Sequence, residues 1–341
     1  DLHSFPTRRS SDLHIDQSEF LQSVSTAMED VPVVLTGSAV YTARELMRVG
    51  HASLDLLLKM NRMVYTPQSL LDELEGHVVT LDLARRDGQR TMIIGPAGIQ
   101  AIEVTPEETR REYDVAVAEL EWLRRNCTIS PRPASALGVP AQRLRRVLGV
   151  SGADALELRH ELGGVLFADD FGLRFRVAPE VGPRSFSTWA LLQAAARTGS
   201  LTEKGLRSGI VALIQLHHQF IPVDGRLLVG VLRDHSFSLN HATLMLLQQL
   251  RGTELELRGV VRVAAQLLRG LSLEPVGAAV LGPVTQVVLE HIAAGRRIVP
   301  ALHALGVALD SAFGLLPIER ARIQDHIDRF VEAKRRAGSL Q

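Results

Sequence analysis

The chain has 341 residues, 46% of them apolar and 22% charged, which is enough for two domains with buried cores and too apolar for disorder. Thirty-eight Lys and Arg balance 38 Asp and Glu, which excludes a global field that drives the protein onto nucleic acid, and the single cysteine, Cys127, excludes a disulfide framework and a cysteine zinc site. No apolar run reaches bilayer-spanning length and no secretory signal is visible, so the expected setting is soluble, reducing and cytoplasmic, without a membrane partner.

Residues 1–13, DLHSFPTRRSSDL, match the translation of one frame of a widely used sequencing adapter. They are read as a library artefact and set aside, with the expectation that whatever domain preceded His14 is missing and that residues 14–30 are a linker. Val33-Val34-Leu35 reads as a buried strand, Thr36-Gly37-Ser38 as a strand-to-helix turn, and Ala39 onward as mainly helix. A second strand is expected over Met63 to Tyr65, followed by Thr66 as N-cap and Pro67 at the first helical position. The period then changes: residues 91–104 suggest two short strands around Gly95-Pro96-Ala97-Gly98, a small hairpin insertion. Thr105-Pro106-Glu107-Glu108 carries a capping-box helix start, and that helix runs to about Asn126. A third strand is expected near Cys127 to Ser130, where the cysteine reads as a small hydrophobe. A short basic helix over Gln142 to Leu148 and a second helix opened by Ser151-Gly152-Ala153-Asp154 follow. After Arg174 come a short strand near Ser185 to Ser187 and helices around Trp189 to Arg197 and Glu203 to Phe220. From residue 233 the apolar residues keep helical spacing to the C-terminus, which predicts an all-helical second domain over 233–341.

The chemistry concentrates between Gly163 and Arg174, where four apolar or small residues precede Asp169 and Asp170. In open parallel sheets ligands bind at the carboxyl ends of strands, and two carboxylates there can hold a divalent cation through oxygen. The same two acids can instead cap the helix expected over Phe171 to Val177. Asp154, three residues after Ser151, reads equally as a metal ligand or as a capping-box acid. Glu73, between Asp72 and Glu75, reads as a ligand or as part of a solvated helix face. Arg143, Arg145, Arg146 and Arg174 could contact the phosphates of RNA beside these acids.

Four stretches resemble the PIN domain family, whose members include metal-dependent ribonucleases. These are VVLTGSAV at Val33 to Val40, VYTPQSLLDEL at Val64 to Leu74, SGADALELRHELGG around Asp154, and VLFADDFGLR with Asp170 and Leu173. The resemblance implies an α/β/α sandwich over 31–232 with a central, mostly parallel sheet. It also implies Glu73, Asp154 and Asp170 as catalytic metal ligands, Asp169 in support, and Mg²⁺ or Mn²⁺ as cofactor. Thr36 stands where the family carries an aspartate, and a neutral hydroxyl lowers affinity for a cation. Two functions therefore stay open: RNA phosphodiester cleavage, or a non-catalytic interaction or regulatory module of a larger protein, whose partner is another protein or the missing upstream domain.

Overall fold

A computed structural model of the chain describes residues 17–51, 53–87, 89–95, 98–131, 141–170, 173–174, 184–218, 221–251 and 256–338. The artefact expected over 1–13 lies outside them. The chain divides into two compact units, Asp16–Thr202 and Glu203–Gln341. The division falls after Thr202, whereas the sequence reading placed it after Leu232.

The first unit is built on strands β1 (Val33–Leu35), β2 (Val64–Pro67), β5 (Thr128–Ser130), β6 (Val165–Phe167) and β7 (Ser185–Phe186) in the order β5-β2-β1-β6-β7. All four pairings are parallel. The crossovers are helical: α2 (Gly37–Arg48) and α3 (Ser53–Lys59) after β1, α4 (Gln68–Asp87) and α5 (Pro106–Asn126) after β2, and α6 (Ala141–Leu162) after β5. Strand alternation sends Val34 and Leu166 to one face, where they pack on Leu144, Ala153 and Leu156 of α6. On the other face Phe167 stacks on Phe186 at 4.9 Å between ring centres. Each fully buried ring or Leu contributes about 1.5–3 kcal/mol.

Several boundaries differ from the sequence reading. Pro67 ends β2 opposite Ser130 and does not begin the helix, and Thr66 lies inside the strand with a fully buried side chain. A proline is tolerated there because it terminates the ladder on the strand's last residue. The span 14–30, expected as a linker, contains helix α1 (Gln17–Met28), which packs on β7 and on α7 (Thr188–Arg197) and buries Val24 and Ala27. Its Ser- and Gln-rich sequence masks a narrow apolar face. Strands β3 (Gln89–Gly95) and β4 (Gly98–Val104) form a separate antiparallel pair between α4 and α5. Helix α5 opens on the expected capping box: Thr105 Oγ1 accepts from the Glu108 N–H at 3.2 Å, and the Glu108 carboxylate accepts from the Thr105 N–H at 2.9 Å.

The approach to β6 depends on two glycines. Gly163, at φ +58°, and Gly164 close α6 in a Schellman turn, with their N–H groups donating to the carbonyls of His160 and Arg159. A Cβ on Gly164 would lie 2.4 Å from the Pro32 carbonyl oxygen, so the chain can enter β6 beside β1 only without a side chain there.

The second unit is helical: α8 (Glu203–Gln215), α9 (Gly225–Asp234), α10 (His241–Gln248), α11 (Leu257–Ser272), α12 (Gly277–Ala293), α13 (Ile298–Phe313) and α14 (Pro317–Arg336). Among the described residues no helix is long and apolar enough to cross a membrane.

Candidate functional site

The strand order reverses between β1 and β6. From β1 the chain steps outward to β2 and β5, then returns to the other side of β1 for β6 and β7. The crevice at the carboxyl ends of β1 and β6 is therefore the topological switch point, where doubly wound sheets bind ligands. Thr36 follows β1 and Ala168-Asp169-Asp170 follow β6, so the sequence-predicted edge lies where the topology directs it.

Thr36 is the N-cap of α2 and is almost fully buried. Its hydroxyl donates to the Phe167 carbonyl at 2.9 Å, while its own N–H donates to the same oxygen at 3.1 Å. With the Thr36 proton used there, the 3.1 Å contact between the Thr36 and Ser38 hydroxyls has Ser38 as donor. Ser38 Oγ in turn accepts from the N–H groups of Asp169 and Asp170 at 3.1 and 3.2 Å. The two hydroxyls thus stitch the end of β1 to the end of β6 through a network in which every proton has an acceptor.

The adjacent acids are turned to local work. Asp169 Oδ1 accepts from the Thr188 N–H at 2.8 Å and Oδ2 from the Thr188 hydroxyl at 2.5 Å, which ties the end of β6 to the start of α7. Asp170 accepts from the Leu173 N–H through Oδ1, and its carbonyl accepts from the Arg174 N–H at 3.1 Å. That is the capping arrangement weighed for Asp170 from sequence; the expected helix over Phe171 to Val177 lies outside the described residues except for Leu173 and Arg174.

Glu73 and Asp154 belong to α4 and α6. Ser151 Oγ donates to Glu73 Oε2 at 2.6 Å, so this serine links the two helices and not the N-terminal turn expected of it. Asp154 is 1% exposed and pairs with Arg145 at 3.3 Å. Residues nine apart on a straight helix lie on opposite faces, about 13 Å apart along the axis. The pair forms because α6 is kinked at Gly149, whose φ of +75° and ψ of 176° belong to a region open essentially to glycine alone. The kink falls between the two helices expected over Gln142 to Leu148 and from Ser151 onward.

Arg145, expected as an RNA contact, is instead the cation beside Asp154. Arg174 donates to the Ser23 hydroxyl on α1 at 3.0 Å, Arg146 is exposed, and the Arg143 side chain lies outside the described positions. Cys127 is inert, with burial pushing its thiol up to about 12. Sequence reasoning missed Thr188, Ser151 as a link, and Glu157, an acid 1% exposed one turn beyond Asp154. The Ser187-Thr188 pair before an apolar helix was a visible cap signal for the first of these; the other two depend on which helices meet.

A hard divalent cation needs several converging, uncommitted carboxylate oxygens. Among the described residues no group of three or more His, Cys, Asp or Glu is placed to hold a metal ion. Thr36 offers a hydroxyl already donated to a carbonyl, both Asp169 oxygens accept from Thr188, and Asp154 carries its own cation in Arg145. In this structure Thr36, Asp169 and Asp154 are thus engaged by protein partners.

A family model described as the PIN domain associated with the TPR-GreAB-C-PIN system matches residues 34–175. No curated protein and no solved structure gives a significant match to the chain. The matched stretch contains Thr36, Glu73, Asp154, Asp169 and Asp170, and it ends well before the helical unit. The parallel five-stranded sheet and its helices agree with that match, and residues 34–175 belong to the PIN-like domain family.

Proposed function

We propose that this PIN-like domain is a non-catalytic module that works by protein interaction within a larger assembly. The observation that carries this reading is the hydroxyl network at the switch point. Thr36, at the family's first acidic position, donates to the Phe167 carbonyl, a bond that an ionised aspartate cannot make. The Arg145–Asp154 pair and the Thr188–Asp169 bonds point the same way, since they engage Asp154 and Asp169 in structural contacts. The matching family model is described by a system that joins PIN, TPR and GreAB-C parts, which favours a protein as the partner.

A second reading, RNA phosphodiester cleavage, is favoured by the family resemblance, which implies Glu73, Asp154 and Asp170 as the acidic motif residues. Calorimetric titration of Mn²⁺ into the chain, beside an Asp154→Asn/Asp170→Asn variant, separates the two. Absence of saturable binding in both proteins is expected. Saturable binding to the wild type that disappears in the variant would overturn the non-catalytic reading and restore the nuclease.

A further inference from the structure

Helix α11 has two faces of opposite character. One buries Val261, Ala264, Leu268 and Leu271, and the helix packs on α9, α12 and α13. The other exposes Arg258, Arg262, Gln266 and Arg269 and ends at Leu273, the C-cap residue, which is 62% exposed. Steps of three or four residues keep these five on one row, about 22 Å long. Val276, also exposed, follows Leu273 in the chain.

Three contacts at a constant separation of 41 residues lay α9 parallel to α11 along one side of that row. The Gly225 N–H donates to Gln266 Oε1 at 3.4 Å, Val229 packs against Gly270, and Arg233 pairs with Glu274. Gln266 and Glu274 are thereby engaged, and Asp224, the cap of α9, accepts from the Leu227 N–H at 2.7 Å. Among the described residues no carboxylate pairs with Arg258, Arg262 or Arg269. Such a row costs the helix stability. Arg258 and Arg262 repel at i, i+4, and Arg258 stands in the first turn, where the helix dipole disfavours a cation. The solvated face of α14 is built differently, with Asp325 paired to Arg329, and Glu332 to Arg335 and Arg336.

We propose that the α11 row docks an acidic segment of a partner protein, with carboxylates on Arg258, Arg262 and Arg269 and a large apolar side chain on Leu273 and Val276. Charge complementarity calls for an anion, and the arginine forks bind carboxylates bidentately. Leu273 and Val276 decide between polyanions, because a phosphate backbone leaves them in water and a protein segment buries them. The helical unit also holds no Tyr or Trp on which bases could stack, and the chain's zero net charge gives no long-range pull on nucleic acid. A second copy is disfavoured, since about a two-fold axis the row would meet its own charge. This proposal names the partner for the interaction reading above and rests on it. Its test leaves the acids of the PIN-like domain untouched, so it and the Mn²⁺ titration fail separately.

Fluorescence anisotropy of the full chain with three labelled probes tests this. The probes are a helical peptide of about 20 residues with Glu along one face and a Leu at each end, the same peptide with Gln for Glu, and a single-stranded RNA of similar length. The Glu peptide is expected to bind with a Kd of about 1–100 µM at low salt and more weakly as salt is added. The Gln peptide should bind about tenfold more weakly or worse, and Arg262→Ala/Arg269→Ala and Leu273→Asp should each weaken the Glu peptide about tenfold or more. Arg335→Ala/Arg336→Ala, which removes as much positive charge from α14, should leave it unchanged. All these positions are exposed, and an unchanged helical melt confirms that each variant is folded. No binding of the Glu peptide, equal binding of the Gln peptide, or equal loss in the α14 variant overturns the proposal. Tighter binding of the RNA through the same arginines also overturns it and assigns the row to nucleic acid. A concentration-dependent mass in sedimentation velocity that Arg262→Ala/Arg269→Ala abolishes overturns it in favour of a second copy.

Discussion

At the scale of single residues, the decisive substitution is Thr36. Its hydroxyl donates to Phe167 and accepts from Ser38 and from the Ala39 N–H, so Thr36→Val removes three hydrogen bonds at almost constant volume and costs about 1–3 kcal/mol in urea unfolding. Thr36→Asp supplies the aspartate that the family resemblance implies there but faces a carboxylate with the Phe167 carbonyl; it is expected to lower stability as well and to create no saturable Mn²⁺ site by calorimetry. A stable Thr36→Asp protein that binds Mn²⁺ would mean the network is incidental. A second residue-level test concerns Glu119 on α5, which is 1% exposed and whose Oε2 accepts from both Arg44 Nε and Nη2 at 2.7 Å. Burial outweighs Arg44 and pushes the Glu119 carboxyl from 4.5 up to about 7. Below the unfolded value both states hold the proton. Between it and about 7 only the folded state does, so this group's stabilisation falls as pH rises through that window, by at most about 1.4 kcal/mol per unit, and is flat above it. Wild type measured against Glu119→Gln by urea unfolding at about pH 5, 6 and 7 should lose stability stepwise, and a constant difference would place Glu119 ionised throughout. The position of Thr36, Asp169 and Asp170 at the ends of β1 and β6 was legible in the sequence because each follows an apolar strand triplet. The actual partners, Thr188 for Asp169 and Ser151 for Glu73, were not, since those contacts join segments 19 and 78 residues apart.

At the scale of elements, the kink in α6 decides what Asp154 does. Gly149→Ala places a Cβ on a backbone at φ +75°, which costs about 1–3 kcal/mol. If the helix straightens to relieve the strain, Arg145 swings to the face opposite Asp154. Arg145→Met leaves Asp154 buried without its cation, a loss of about 3–5 kcal/mol, reduced because the Arg145 side chain is a quarter exposed. The prediction is non-additivity: Gly149→Ala/Arg145→Met should be little worse in thermal unfolding than Arg145→Met alone, whereas a purely local strain at Gly149 would add in full. The same elements show where sequence patterns are strong guides. The capping box at Thr105 and the apolar triplets of β1 and β6 are local signals, and each produced the element expected of it. Pro67 and α1 are the counter-examples. The proline is read as a helix start until β5 pairs alongside it, and α1 is helical because β7 and α7 present a surface for its few apolar residues. In both, tertiary packing overrides a weak local preference.

At the scale of the whole molecule, the boundary between the units carries a test. Composition changes from alternating strand and helix to helix alone well after Thr202, because α8 and α9 look like one more crossover of the α/β region when read in sequence. Their packing assigns them elsewhere: α9 lies along α11 and α8 along α10, and Leu206, Ile210, Leu213, Leu228, Val231 and Leu232 are buried. Removing α8 and α9 would uncover the α9-facing side of α11, at about 1.5–3 kcal/mol for each large apolar side chain returned to water, against a total stability of about 5–15 kcal/mol for a domain of ordinary size. A fragment of residues 203–341 is therefore expected to melt as one cooperative helical unit in circular dichroism. A fragment of 233–341 should show no cooperative transition and should bind a dye for exposed apolar surface. Equal cooperativity in the two would move the boundary back to residue 232. It would also mean that the first two helices contribute nothing to the stability of the helical unit.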